Sequence, residues 1–314
     1  MSFSSDTKNE LAHVMPEKSC CMLAEISGFI HMCATIRLGG GAGKIALRIL
    51  TENAAAARKM IKLIKAYFGI KVELVISKNT SLKKSNHYEM VITEEMRCQE
   101  IMLETGILTV KEGFNMIHYG VPWALVKKKC CKRAFLRGAF LGGGSLSDPE
   151  KGYHFELVTG NEELCRDIAK LMGSLGFSAK VIERKKSFVV YLKESEQIVD
   201  FLNVAGAHGS LLLMENVRIM KEMRNQANRI VNCDNANLDK TILAAEKQIE
   251  AIEKINREKG LAFLPPKLRE IAELRLEQKD LSLKELGEQL QPPLGKSGVG
   301  HRLARIQEIA ERLQ

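Results

Sequence analysis

Residues 130–146 read CCKRAFLRGAFLGGGSL, and residues 20–36 read CCMLAEISGFIHMCATI. The chain writes one phrase twice. Laid over one another, residues 17–36 and 127–146 share Lys18/Lys128, Cys20/Cys130, Cys21/Cys131, Ala24/Ala134 and Gly28/Gly138. In each copy the Ala and the Gly stand four residues apart, which puts them on one face of a helix. A stripe of small residues lets two helix backbones approach closely. The natural partner for each stripe is its own duplicate, packed about a pseudo-two-fold axis.

The correspondence continues downstream. LRILTENAAAARKMIKLIKAYFG and FELVTGNEELCRDIAKLMGSLGF both read as strand, turn and helix. KVELVIS and YEMVIT in the first copy, and AKVIER and FVVYLK in the second, alternate at period two as strands do. Short helices around Glu95–Glu104 and Glu196–Asn203 close the two copies. The repeated unit is helix, two strands, helix, two strands, helix.

The paired helices followed by αββ units resemble a tandem LAGLIDADG homing-endonuclease domain. The wider chain resembles the WhiA family of bacterial regulators, through MSFSSDTKNEL, CCKRAFLRGAFLGGGSL, FLNVAGAH, EMRNQANRIVNCDNANLDKTI, LREIAELR and GKSGVGHRLARI. The fold class this implies is α+β: tandem LAGLIDADG-type αββαββα repeats forming a curved sheet saddle, then a helical linker and an all-α helix-turn-helix domain. The expected boundaries are residues 1–215 (repeats at about 1–115 and 120–215), 216–258 for the linker and 259–314 for a helix-turn-helix similar to region 4 of sigma factors.

In LAGLIDADG nucleases each paired helix ends in an acid, and the two acids hold the metal ions that activate water. Matching the motif residue by residue puts those positions on Cys33 and Gly143, and neither can supply the hard oxygen ligand that magnesium requires. Glu25 lies two turns too early in its helix, and Asp148 lies beyond the motif. The expected catalytic set is therefore none, with no metal, no cofactor and no enzymatic activity.

A net charge of +9 favours a polyanionic partner. The expected phosphate contacts are Lys78, Lys83 and Lys84 in one hairpin loop, Arg184, Lys185 and Lys186 in its duplicate, and Lys127 and Lys128 before the second leading helix. The eight cysteines contain no CxxC, and Cys20, Cys21, Cys130 and Cys131 lack the spacing of a zinc site, so buried reduced thiols are expected. GGGAGKI at Gly39–Ile45 has Leu38 where a phosphate loop needs its first glycine, and LGKSG at Leu294–Gly298 has Leu290 there. Both read as turns. His31, His87, His118 and His154 have no acid or cysteine at catalytic spacing.

From Met214 the chain turns helical and basic, with Arg218, Lys221, Arg224 and Arg229. NCDNAN is expected to interrupt this helix at a turn, after which Ile242, Ala245, Ile249 and Ile252 form an apolar stripe. In the C-terminal segment, helices are expected over Lys267–Gln278 and Leu283–Leu290, the second capped by Ser282 with Glu285 as capping-box partner. A third helix, capped by Ser297, directs Val299, Leu303, Ile306 and Leu313 inward and leaves Lys296, Ser297, His301, Arg302 and Arg305 for DNA. Donors from the start of a second helix-turn-helix helix are how the major groove is read.

The resemblance implies a DNA-binding transcription regulator acting in cell division, chromosome segregation or sporulation. Double-stranded DNA is the expected partner, with RNA polymerase or another regulator as further ones. No signal peptide or membrane span is read, so a cytoplasmic, nucleoid-associated protein is expected. Two readings compete with it: a metal-dependent endonuclease using other acids, and a protein-interaction scaffold in which only the helix-turn-helix touches DNA.

Overall fold

The computed structural model describes residues 2–38, 45–78 and 86–313. The chain divides into two compact units between Met220 and Lys221. The first opens with α1 (Phe3–His13), whose N-cap Ser2 accepts from Ser5 N. The leading helix α2 (Ser19–Cys33) runs into a hairpin of β1 (Ala34–Leu38) and β2 (Ile45–Thr51). Helix α3 (Ala54–Phe68) follows, then β3 (Leu74–Lys78), β4 (Asn86–Ile92) and α4 (Cys98–Glu104). After a hairpin of β5 (Leu108–Lys111) and β6 (Phe114–Ile117), the pattern restarts with α5 (Lys129–Gly143). Its strands are β7 (Gly144–Leu146), β8 (Phe155–Thr159), β9 (Lys180–Arg184) and β10 (Ser187–Leu192); its later helices are α6 (Glu162–Gly173) and α7 (Ser195–Ala205).

The two four-stranded sheets have the same antiparallel order, β1-β2-β4-β3 and β7-β8-β10-β9. Local chemistry repeats with the topology. Asn53 caps α3 by accepting from Ala56 N at 2.8 Å, and Asn161 caps α6 by accepting from Leu164 N at 2.9 Å. Each sheet buries one alternating set, Leu47, Ile49, Met90 and Ile92 in the first and Phe155, Leu157, Val190 and Leu192 in the second. The hairpin of β5 and β6 has no counterpart in the second repeat. Its two-residue turn takes Glu112 and Gly113 at φ of 52° and 82°, as a type I′ turn requires.

Helices α2 and α5 pack in parallel and in register. A Cβ placed on Gly28 would collide with the Phe135 carbonyl oxygen, and one on Gly138 with the Glu25 carbonyl oxygen. Glu25 and Phe135 are themselves equivalent positions of the duplication, so the two contacts are one contact related by the pseudo-two-fold. This is an isologous interface within one chain.

Beside this crossing lies a buried ionic network. Glu25 is fully buried; its Oε2 accepts from Arg137 Nη2 at 2.6 Å and Nε at 2.9 Å, and its Oε1 pairs with Lys59. Lys59 also donates to the Leu11 carbonyl at 2.8 Å, and Arg137 to the Ala205 carbonyl at 3.1 Å. Through these neighbours Glu25 ties α2 to four other elements, α1, α3, α5 and α7.

A final long helix, α8 (His208–Lys259), begins in the first unit, where Glu10 caps it by accepting from Gly209 N and Ser210 N at 2.6 and 2.9 Å. NCDNAN does not interrupt it. Asn and Asp cost a helix interior only a fraction of a kcal/mol each, and no Gly or Pro occurs between Ser210 and Lys259 to stop it.

In the second unit the C-terminal part of α8 packs on α9 (Pro266–Glu277), α10 (Leu283–Gln289) and α11 (Lys296–Arg312). The stripe of α8 that enters this core is Gln248, Ile252 and Ile255, while Ile242 is exposed. Ser282 and Glu285 form the expected capping box. Helix α11 starts earlier than expected: Gly295 is its N-cap and Ser297 lies inside its first turn. Val299 N already bonds the Gly295 carbonyl at 3.1 Å, which closes the first helical turn there.

Candidate nucleic-acid interface

At the C-terminal end of the paired helices stand Cys33 and Gly143. Cys33 donates its thiol to the Phe29 carbonyl at 3.2 Å, and burial pushes the thiol up to about 12. It is a neutral group at any physiological pH. At Gly143 a Cβ would lie 2.6 Å from Met32 Cε and 2.8 Å from the Val158 carbonyl oxygen, so even the first atom of an acid has no room.

Helix α1 closes over this end. Ser4 Oγ accepts from Leu146 N at 3.1 Å, and the Lys8 ammonium stands 5.8 Å from the Phe140 ring centroid. Burial holds Lys8 below the usual lysine range, against the pull of the Glu52 carboxylate. Ser2, Ser4, Lys8, Glu52 and Gly142 to Ser145 line a cavity of about 600 Å³ here. Thus a tethered cation occupies the neighbourhood in which the LAGLIDADG resemblance would place a metal. The sequence reading missed Lys8 because α1 precedes the duplicated unit. Asp148 is no ligand candidate either; its carboxylate accepts from Glu150 N at 3.0 Å in a turn.

The open face of each sheet, opposite the buried set, carries Arg37 and Arg48 in the first repeat and Lys180 and Arg184 in the second. Their period-two positions were the available signal for Arg37, Arg48 and Lys180, which the loop-centred reading passed over. Acids temper this surface. Arg48 Nη2 donates to Glu89 Oε2 at 2.7 Å, which holds that carboxyl below the usual range, and Arg184 approaches Glu156 at 3.5 Å. Lys185 and Lys186 form the two-residue tip between β9 and β10, with Lys185 at φ 57°, and both are exposed. Lys78 ends β3; Lys83 and Lys84, like most of the GGGAGKI stretch, lie outside the described residues.

Lys127 and Lys128 do not join this set. Lys128 is the N-cap of α5, and a helix of 15 residues separates it from Gly143 by about 22 Å. Here the structure corrects the cysteine reading. Cys20, Cys21, Cys130 and Cys131 converge, with their four Sγ atoms all within 4.8 Å of one another. Burial raises the Cys21 thiol to about 11 and the Cys131 thiol to about 12, while a hydrogen bond with Cys21 and the nearby Lys18 hold Cys130 below its ordinary value.

In the second unit Val299, Leu303 and Ile306 are buried as expected and Leu313 is half-buried. Lys296, Ser297, His301 and Arg305 are exposed along the start and middle of α11. Arg302 is not: its Nη1 donates to the Lys267 carbonyl at 3.3 Å, which ties α11 to α9. Lys296 also shares the rim of a cavity of about 340 Å³ with Lys240 and Lys284, two lysines the sequence reading did not single out. Gly287 allows the tight turn between α10 and α11, since a Cβ there would collide with the Leu294 carbonyl.

A third cavity, of about 350 Å³, lies in the first repeat among Ile30, His31, Ile36, Leu47, Ile107 and His118. His31 Nδ1 donates to the Ser27 carbonyl at 2.8 Å, and its buried Nε2 has no hydrogen-bond partner. Burial lowers His31 to about 4, with His118 adding to the effect. Between pH 6.5 and 4 the unfolded chain therefore binds a proton that the folded chain refuses. Stability should fall by up to about 3 kcal/mol as pH drops through that window. His31→Gln should flatten this acid limb in urea unfolding measured at pH 7, 5 and 4.

Three family descriptions match the chain: a WhiA N-terminal LAGLIDADG-like domain over residues 19–108, a WhiA LAGLIDADG-like domain over 132–224 and a WhiA C-terminal HTH domain over 227–310. A protein of Alkaliphilus oremlandii named "Probable cell division protein WhiA" is 53% identical over 314 residues, covering 100% of this chain and 98% of that one. One of the same name from Clostridium perfringens is 50% identical over 314 residues, covering 100% and 99%. The crystal structure of full-length DUF199/WhiA from Thermotoga maritima superposes with a TM-score of 0.59 at 28% identity, covering 100% of this chain and 99% of that one. The matched ranges take in both the duplicated helix pair and the helix-turn-helix, and the chain belongs to the WhiA family.

Proposed function

We propose that this chain is a DNA-binding transcription regulator of the WhiA type, acting in cell division, with chromosome segregation and sporulation as the processes its targets serve. The observation that carries the reading is α11. Its apolar residues complete a core, while Lys296, Ser297, His301 and Arg305 are left facing solvent along the start and middle of the second helix of a helix-turn-helix. Phosphate contacts position such a helix and base contacts specify its site. Double-stranded DNA is the partner, with RNA polymerase or a second regulator acting beside it, and the nucleoid is where the protein works.

The duplicated domain contributes a positioning surface built from Arg37, Arg48, Lys180, Arg184, Lys185 and Lys186. It performs no cleavage, because a neutral thiol and a glycine stand at the ends of its helices. Supercoiled plasmid incubated with the full chain and magnesium or manganese should stay supercoiled; sustained nicking would sink this part of the reading.

Binding itself is tested by fluorescence anisotropy of the full chain on genomic fragments across a salt series. Each neutralised phosphate contributes a log–log slope of about −0.9. Lys296→Ala with Arg305→Ala should weaken binding and make the slope shallower by about 1 to 2. An unchanged slope would move the DNA contact elsewhere.

A second reading, protein interaction by the first domain, draws on one observation. Val110, Phe114, Met116 and Ile117 of the β5–β6 hairpin are all exposed, with Tyr119 and Trp123 close behind in sequence. Apolar surface of this kind marks interaction sites.

A further inference from the structure

The N-terminal ends of α2 and α5 carry a feature that the DNA-binding reading does not use. Cys20 and Cys21 occupy the second and third positions of α2, and Cys130 and Cys131 the same positions of α5. Because the helices are parallel and in register, the pseudo-two-fold brings the two pairs face to face. All four Sγ atoms lie within 4.8 Å of one another, and those of Cys130 and Cys131 are 3.9 Å apart. A zinc ion with sulfurs at about 2.3 Å sets them about 3.8 Å apart at the corners of a tetrahedron. The span seen here reaches that geometry by small side-chain rotations. An iron–sulfur cluster interposes several atoms between its thiolates and needs a wider cage.

The surroundings suit a tetrathiolate. Four thiolates around a divalent ion leave two negative charges, and Lys18, Lys128, Lys129 and Lys132 all lie within two residues of a cysteine. Neither helix has an acid in its first turn, and neither N-cap residue makes a side-chain cap hydrogen bond. The first two N–H groups of each helix are therefore left to donate to sulfur, and both helix dipoles favour negative charge at this point. Cys21 and Cys131 are buried while Cys20 and Cys130 are half-buried, so the cage is closed on its inner side and open to entry on its outer side.

We propose that Cys20, Cys21, Cys130 and Cys131 bind one zinc ion on the pseudo-two-fold axis, clipping the two repeats together at the end of the helix pair opposite Cys33 and Gly143. Such a site is structural, with all four positions filled by protein. It ties residues 110 positions apart in the chain. Metal affinity of this kind is folding free energy.

The full chain, purified under reducing conditions without chelator, should carry one zinc per molecule by elemental analysis. Stripped of metal and titrated with cobalt, it should develop the thiolate charge-transfer and visible bands of a tetrahedral cobalt tetrathiolate, saturating at one equivalent. Adding zinc to the stripped chain should raise its melting temperature. Cys20→Ser with Cys130→Ser removes two ligands at the half-buried positions, where folding is least at risk. That variant should lose zinc affinity by well over the roughly 100-fold that loss of an outer-shell partner costs.

Three results would overturn the proposal. The unmodified chain could bind neither zinc nor cobalt; intact mass could show a disulfide among these cysteines in the freshly purified chain; or iron could be found in place of zinc. The cobalt titration uses the unmodified chain, so it decides the matter even where a variant misfolds, and none of these readouts depends on DNA binding.

Discussion

Glu25→Ala should destabilise the first domain by about 3–5 kcal/mol and lower its melting temperature by about 10 °C. The substitution deletes no large apolar group, so area lost from the core cannot produce such a value. Its effect comes from what stays behind. Lys59 and Arg137 are held within the core, and the carboxylate lies between them. Without it two cations share a buried site with only the Leu11 and Ala205 carbonyls as acceptors. Burial already pushes the Lys59 ammonium down to about 8, with Glu25 opposing that shift and Arg137 adding to it.

Removing the whole network is a different experiment. Glu25→Leu combined with Lys59→Met and Arg137→Met leaves no uncompensated charge, and apolar replacement of a buried ion group is often neutral or stabilising. The triple variant should therefore be more stable than Glu25→Ala alone, measured by urea unfolding at pH 7. A single-substitution loss under about 1 kcal/mol would mean that water reaches this site.

The second large effect lies one turn further along the same helix. Gly28→Ala or Gly138→Ala should each cost about 3 kcal/mol, the upper part of the range for overpacking. The atom in the way is a backbone carbonyl oxygen in both cases, so no rotamer change relieves the clash and the helices must separate. Separation loosens every contact along the pair. Because both substitutions ask for the same movement, the double variant should cost less than the sum of the singles, by a coupling of about 1 kcal/mol. Gly173→Ala is the control: a Cβ there meets nothing within 4 Å, and stability should hold.

These residues also mark where sequence reading succeeds. The Ala24/Gly28 and Ala134/Gly138 stripes were legible because the chain states them twice, and the Ser282 capping box because its two partners lie three residues apart. The cysteine cage was missed by looking for ligand spacing along the chain. Once Gly28 is placed on the backbone of α5 in parallel register, equal positions of the two copies must meet, and the duplicated Cys pairs follow. Helix α1 was not legible in this way: Lys8, Glu10 and the Leu11 carbonyl act on groups between 25 and 200 residues away, with no repeat to announce them. NCDNAN misled because turn-forming side chains were read without asking whether anything nearby forbids a helix.

The reciprocal glycine contact also sets a schedule for synthesis. Helix α2 emerges from the ribosome with its closest partner, α5, still 110 residues from being made. At about 5–20 residues per second that is an interval of roughly 5–20 s. Throughout it, the face carrying Ala24, Gly28 and Phe29 has no neighbour to cover it, so the first half of the domain must wait as an incomplete core. A nascent chain halted in that window is the form of this protein most exposed to chaperones and to premature pairing with the α2 of a neighbouring copy, and slowing translation between the two repeats should lower its soluble yield more than slowing it after α5.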